Sequence, residues 1–559
     1  MIDVIYVTYN SEKWIRNCFQ SWLSVSYNLK NINIFIVDNH STDQTVYRIE
    51  EIKQELGSQF AAFSFISEKK NHGFGKANNI GFARGTSDIV CFFNIDTELC
   101  EDTIKNLEYA INLSPDSVAL WELRQFPYEH PKLYDPLTGE TTWSSGAAFA
   151  VKRSVFEKLK GFDEKIFMYA EDVDLSWRLR SHGYQLRYVP RAVIRHYAYK
   201  SAGEIKPNQY CNSIINNLLL RCRYGSLKTI LEGNAMVFQC VLGPEAFAGS
   251  RRQLLKAYLR HFVQVPHFFG RKQVGKAKNF TPVFLGFDYA PIRDGTFYHN
   301  EFPRERPLVS ILVRTCGRPS VLRETLCSLR NQTYSNLEIV IVEDGAPVSE
   351  SMIRKEFGDL NIVYRASGEK IGRSKAGNLG LSLAKGKYVN FLDDDDLFYA
   401  DHVEVLVCAL LQGNCRAAYA FGFETPIEVK SQTPYSYEVK NYLGTYKKKY
   451  NKIELCHHNY IPIQCMMFER SLFEEYGGMD ESTDALEDWD LWVRYSLHTD
   501  FKCVEKTTSL YRVPYNRQTS IKRQKELDDA LLFMREKHKL YQQKISVWDV
   551  AKLYEGGMR

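Results

Sequence analysis

The chain has 559 residues, more than one hydrophobic core usually organises, so two or three domains are expected. With 44% hydrophobic, 13% aromatic and 25% charged residues it has ample apolar side chain to offset chain entropy, which excludes a disordered protein. The formal charge of +5 is too small to imply nucleic-acid binding, and thirteen cysteines with no CxxC pair argue against a disulfide framework or a ribbon-type zinc site and for reduced thiols in a cytoplasm.

The opening MIDVIYVTYN lacks the basic and apolar regions of a secretory signal and reads as a first β-strand. No run of about 18 uncharged apolar residues offers a membrane span. Residues 4–8 form an apolar strand pattern with helical periodicity behind it, and residues 34–38 form a second strand that ends in acid at Asp38. A third strand runs into Asn94-Ile95-Asp96-Thr97. A Gly161-Phe162-Asp163 turn then precedes an amphipathic helix opened by Glu171, Asp172 and Asp174.

Residues 246–287 contain no Asp or Glu, while Arg251, Arg252, Lys256, Arg260, Arg271, Lys272, Lys276 and Lys278 supply positive charge. Leu254, Leu255, Tyr258, Leu259 and Phe262 recur at helical spacing. The segment reads either as an interfacial helix on anionic lipid or as a helix docked on a domain with its basic face in water.

The plan then repeats. Residues 309–313, followed by Arg314 and Thr315, match residues 4–8, followed by Tyr9 and Asn10. Residues 339–343 form the acid-ended second strand, closing on Glu343. The four acids Asp393, Asp394, Asp395 and Asp396 stand where Asp96 stood. Gly478-Met479-Asp480 precedes Glu487, Asp488 and Asp490. Shared order at nearly constant spacing implies a duplicated α/β domain, each with a mostly parallel sheet covered by helices on both faces. The expected boundaries are residues 1–230, a helical basic linker at 231–304, a second domain at 305–520 and a helical tail at 521–559.

In an open parallel sheet, ligands bind beyond the carboxyl ends of the strands. Like charges crowded there need a cation, and hard oxygen ligands suit Mg²⁺ or Mn²⁺, which in turn hold a diphosphate. The first copy keeps Asp96 but has Asn94, so weaker metal binding is expected there than at the four-acid run. Asp172 and Asp488, behind a glycine turn and at a helix start, suit a general base that takes a proton from an attacking hydroxyl.

Together these motifs resemble glycosyltransferase family two, the inverting, nucleotide-sugar-dependent enzymes of GT-A (Rossmann-like) fold. The first copy is similar to the bacterial rhamnosyltransferase branch through NHGFGKANNIGFARGTSDIVCFFNIDTE and GFDEKIFMYAEDVDLSWRL; the second is similar to the capsule and lipopolysaccharide branch through VEDGA, FLDDDD and GGMDESTDALEDWDLWVRY. The resemblance implies tandem GT-A domains. It implies donor contacts from Thr8, Asp38, Asn39, Asn78 and Asn94, and from Thr315, Glu343, Asp344, Asn378, Asp393 and Asp394. Asp96, His196 and Asp395 would be metal ligands for Mn²⁺ or Mg²⁺, and Glu171-Asp172 and Glu487-Asp488 the catalytic pairs. No histidine follows in the second copy where His196 stands. It further implies donors of dTDP or UDP type, a lipid-linked bacterial glycan such as O-antigen or capsule as acceptor, and a cytoplasmic protein on the inner membrane face. Two alternatives are one catalytic copy with the other binding acceptor, and a glycan-binding scaffold without turnover.

Overall fold

The computed structural model describes all residues except 131, 199–203, 271–279, 296–297, 441–443, 540, 542–547 and 549–559. The chain divides into two compact units, Met1–Asn300 and Glu301–Arg559.

The first unit is built on β1 (Ile2–Thr8), β2 (Ile32–Asp38), β3 (Ala62–Ser67), β4 (Ile89–Asn94), β5 (Thr97–Leu99), β6 (Val118–Phe126), β7 (Glu140–Thr141), β8 (Ala148–Lys152) and β9 (Gln185–His196). The spatial order is β3-β2-β1-β4-β8-β6-β9-β5, with β7 on β9. Only the β3-β2-β1-β4 half is parallel throughout; β8 runs antiparallel to both β4 and β6. The sheet is therefore mixed rather than mostly parallel. Ile, Val and Phe fill β1, β2 and β4 because helices cover both faces, with Val4, Ile34 and Cys91 in one core and Ile5, Phe92 and Phe149 in the other.

The second unit repeats this with β10 (Val309–Thr315), β11 (Leu337–Glu343), β12 (Ile362–Ala366), β13 (Tyr388–Asp393), β14 (Leu397–Phe398), β15 (Ala417–Gln432), β16 (Tyr435–Val439), β17 (Gly444–Tyr446), β18 (Met466–Glu469) and β19 (Phe501–Pro514). Its order, β12-β11-β10-β13-β18-β15-β19-β14, matches the first strand for strand. The ladders correct the register of the repeat. Thr8 pairs with Asp38 as Thr315 pairs with Glu343, so Val7, and not Tyr9, corresponds to Arg314. In both sheets the connection reverses direction between the first strand and the fourth, which opens a crevice at their carboxyl ends.

The basic stretch of the first unit packs rather than tethers. Helices Pro207–Tyr224, Leu227–Leu242 and Ser250–His261 enclose a small core of Ile214, Leu218, Val237, Leu254 and Tyr258. The expected apolar stripe is thereby divided. Leu254 and Tyr258 face inward, whereas Leu255, Leu259, Phe262 and Val263 are exposed, as are Leu231, Phe238 and Leu242 of the preceding helix. Arg271, Lys272, Lys276 and Lys278 lie outside the described residues. Among the described residues no helix is long and apolar enough to cross a membrane.

Each unit closes with a cation from a later helix. In the first, Arg223 bonds Asp163 and Asp174 at 2.5 Å each; in the second, Lys537 of helix Arg517–His538 bonds Asp480 at 2.6 Å and Asp490 at 2.8 Å. Asp174 and Asp490 also hold Arg178 and Arg494 one helical turn on, so the third acid of each motif clamps the glycine turn to its helix.

Candidate active sites

In the first unit a cleft of about 700 Å³ lies at the carboxyl ends of β1 and β4. Its polar lining includes Asn39, Asn94, Asp96, Gln125, Glu171, Asp172 and His196, and its walls are aromatic, from Trp14, Tyr128, Trp143 and Tyr289. Phe287, Tyr289 and Ile292 come from the stretch read as linker, which therefore helps to wall the cleft.

Asp96 and His196 meet because β5 pairs antiparallel with the end of β9, Thr97 opposite His196. The imidazole Nε2 stands 3.5 Å from Asp96 Oδ1, while Nδ1 is 2.7 Å from Gln125 Oε1. Burial raises the Asp96 carboxyl, but the hydrogen bond and charge of His196 bring it below its ordinary range. Asn94 Oδ1 is buried and has no partner among the described residues.

Glu171 and Asp172 open helix Glu171–Ser181 directly after Ala170, which is held at φ 67°. Leu486 sits at φ 59° in front of Glu487. Left-handed backbone at a residue with a side chain costs about 1–3 kcal/mol, and its recurrence before both acid pairs marks a position set by more than helix capping. Asp172 accepts the Gly146 N–H at 2.7 Å and the Val173 N–H at 2.8 Å. Burial raises its carboxyl above the ordinary value. Glu171 is pushed well above its range by burial and by the charge of Asp172, and its Oε2 has no partner among the described residues.

The second unit shows the same scaffold with different chemistry. A pocket of about 270 Å³ is lined by Arg314, Thr315, Arg318, Asp344, Lys370, Arg373, Asp393, Asp394, Asp395 and Asp484, among others. Arg314 gives two bonds to Asp393, at 2.8 and 2.9 Å, and one to Glu487 at 2.8 Å. Arg318 bonds Asp394 and reaches Asp395 at 3.2 Å. Asp488 accepts from Asn459 Nδ2 at 3.0 Å and from its neighbour's backbone N–H at 2.8 Å. Burial, then the charge of Glu487, raise Asp488 to about 7.

Several sequence-derived donor contacts lie elsewhere. Asp38 and Glu343 are buried and spent on their own loops: Asp38 accepts from Thr8 and Ser41, and Glu343 from Ser349 and Tyr364. Their neighbours Asn39 and Asp344 line the pockets instead. Thr8 is fully buried, whereas Thr315 lines its pocket and donates to Asp394 at 2.6 Å. Asn78 donates to the carbonyl of Phe74 and is 1% exposed. Asn378 exchanges bonds with the backbone of Met479, as Asn79 does with Phe162, so this asparagine secures the glycine turn rather than a ligand.

The model of glycosyl transferase family 2 matches residues 3–175 and 310–477, more than half of the chain, and a glycosyltransferase-like family 2 model matches residues 122–230. The chain belongs to glycosyl transferase family 2. The two family regions and the two mixed sheets with their covering helices make it a tandem pair of GT-A-type α/β domains. Among similar proteins, an uncharacterized glycosyltransferase of Rickettsia prowazekii is 29% identical over 191 residues, 34% of this chain and 58% of that protein. Glycosyltransferase GlyA of Streptococcus pneumoniae is 39% identical over 100 residues, 18% of this chain and 14% of the other. The chain thus spans little more than half the length of the Rickettsia relative. A Pyrobaculum calidifontis mannosyltransferase solved with GDP-Man and Mn²⁺ is 18% identical with a TM-score of 0.33, over 48% of this chain and 83% of that one.

The strand-end acids Asp96 and Asp393–Asp395 are where a divalent cation would bind, and the two units differ in their fit. In the first, the carboxylate of Asp96 and the ring nitrogen of His196 converge, Gln125 fixes the ring from behind, and Asn94 Oδ1 is unspent. That is a suitable partial ligand set, completed by phosphate and water. In the second, Asp393, Asp394 and Asp395 are all held by guanidinium groups. One residue beyond the Leu397–Leu510 pair, Tyr511 occupies the place of His196. The four-acid run, where charge counting expects the stronger metal site, is thus already engaged with arginines. The sequence marks Arg314 only as the end of a repeated strand; a lone arginine inside an otherwise apolar strand is the signal of its role, and Arg318, just before the next helix, carries none.

Proposed function

We propose that the protein is a glycosyltransferase that moves sugars from nucleoside diphosphates, of dTDP or UDP type, to hydroxyls of a growing lipid-linked bacterial surface glycan. Each unit would form one linkage with inversion, the first that of rhamnose. The observation that carries this reading is the Glu-Asp pair that follows a left-handed residue in both units and that, in the first, lines the same cleft as the strand-end residues Asn94 and Asp96. Asp172 or Asp488 accepts the proton of the attacking hydroxyl, and its backbone N–H bonds hold the carboxylate in place before and after transfer. In the first unit Asp96 and His196 would hold a divalent cation, which supplies charge stabilisation of the leaving diphosphate. The aromatic walls suit the faces of sugar rings. Incubating the full chain with a panel of nucleotide sugars, with and without Mn²⁺, tests the reading. Release of nucleoside diphosphate from at least one donor is expected, and release from none would leave only a binding scaffold.

The same proposal puts the first unit on the inner membrane face. Exposed Leu255, Leu259, Phe262 and Val263 lie on one helix end with exposed Arg252, Lys256 and Arg260, a pairing that suits an anionic lipid surface. Each basic residue near such a surface contributes about 1 kcal/mol, screened within roughly 10 Å at 0.1 M salt, and the apolar contacts are not screened. Co-sedimentation with phosphatidylserine vesicles should weaken, without vanishing, in high salt. Charge reversal at Arg252, Lys256 and Arg260 should abolish it, leaving Arg251 to cap the Gly243 carbonyl. Failure of the wild-type chain to sediment at low salt would remove the membrane role.

A further inference from the structure

The two units differ by one compensated exchange at the heart of the site. On the first pair of strands Val7 lies beside Asn94; on the second, at the same register, Arg314 lies beside Asp393. Arg314 is buried, gripped by the partly exposed Asp393 on one side and the buried Glu487 on the other, so its withdrawal would cost both carboxylates their shared partner. Arg318 bridges Asp394 and Asp395, and its side chain remains 48% exposed towards the pocket. The other acids of the pocket are also spent. Asp344 accepts the N–H groups of Ile371 and Gly372, and Asp484 that of Ser374. Lys370 and Arg373, both exposed, complete a ring of four cations around 270 Å³. The first cleft is the reverse case: Lys206 is the one Lys or Arg among its described lining residues, and its strand end offers an imidazole, a carboxylate and an unspent amide oxygen.

We propose that the second unit holds the diphosphate of its donor on Arg318, Lys370 and Arg373 without any divalent cation, while the first unit depends on one. This deepens the reading that both units bind nucleoside diphosphates, and rests on it. A guanidinium presents several donors in a fixed fork to phosphate oxygens and is always charged, so it can replace a metal in neutralising a bound diphosphate.

Inorganic pyrophosphate titrated into the full chain by calorimetry provides a probe that needs no knowledge of the base or sugar. In EDTA one equivalent should bind, and a second should appear with Mn²⁺. Asp96→Ala with His196→Ala should remove only the Mn²⁺-dependent equivalent. Arg373→Gln, at a side chain 57% exposed and only loosely paired with Glu487 at 4.0 Å, should weaken the EDTA-resistant equivalent at least 10-fold. Arg318→Ala frees Asp394 and Asp395, and should turn that equivalent Mn²⁺-dependent. Electron paramagnetic resonance of Mn²⁺ should show one bound ion per chain, unaffected by Asp395→Asn. If the Asp96/His196 variant binds pyrophosphate only with Mn²⁺, or if Asp395→Asn removes a bound ion, the metal-free site is wrong while the donor-binding reading stands. If the wild-type chain binds pyrophosphate under neither condition, both fall.

Discussion

Asp172→Asn should suppress the linkage made by the first unit by about 10²–10⁴-fold and leave the other intact, and Asp488→Asn should do the converse, the usual loss when a positioned base is removed. In the wild-type chain both oxygens of Asp172 accept backbone N–H groups, so an asparagine amide would face a donor with a donor. Asp172→Ala serves as the control for that mismatch. Mass spectrometry and linkage analysis of the product decide the outcome, and loss of both linkages from either single change would defeat the idea of independent sites.

The second base also sets a pH signature. Burial and the charge of Glu487 raise Asp488 to about 7, so its linkage should form at a rate that climbs through pH 7 and levels off above it. The Asn459 bond pulls that value down, and Asn459→Ala should move the limb to higher pH. Stability runs the other way. The unfolded chain ionises Asp488 near the ordinary aspartate value of 3.8 and the folded chain near 7, so between them the unfolded state holds fewer protons and the folded state loses stability as pH rises. Asp488→Asn sets an amide against one of the two donors to Asp488 but no longer titrates, so its melting temperature should lose the fall between about pH 5 and 8 that wild type shows, which separates loss of the base from loss of the fold.

Strand ends, the duplication and both Glu-Asp pairs were legible because each combines an apolar run with acids at a fixed place, a pattern with few physical explanations. The roles of individual acids were not. Asp38 and Glu343 look like ligands in sequence, yet each sits at a strand end whose next loop offers its own donors, so the side chain folds back on Ser41 or on Ser349 and Tyr364. Four acids in a row look like a metal site until their partners are known, and those partners come from 79 and 76 positions away. The split of the apolar stripe was equally invisible, because helical spacing does not say which half of it meets a neighbouring helix.

Arg314→Val tests whether the exchange between the units is truly compensated. The change alone leaves the buried Glu487 and the partly exposed Asp393 without their shared cation, which should cost about 1–3 kcal/mol and strip protection from the amides of β10 and β13 in hydrogen exchange on the full chain. Adding Asp393→Asn reproduces the Val7–Asn94 pair that the first unit already folds around. Glu487 then stands, like Glu171, as a buried acid beside a second carboxylate, with Arg373 4.0 Å away as its remaining cation. The double variant should regain most of the lost protection, with a coupling of about 0.5–3 kcal/mol between the two positions. A double variant no better protected than Arg314→Val would show that the arginine supports the second unit through contacts other than this pair, Met479 among them, which lies 3.7 Å from its guanidinium.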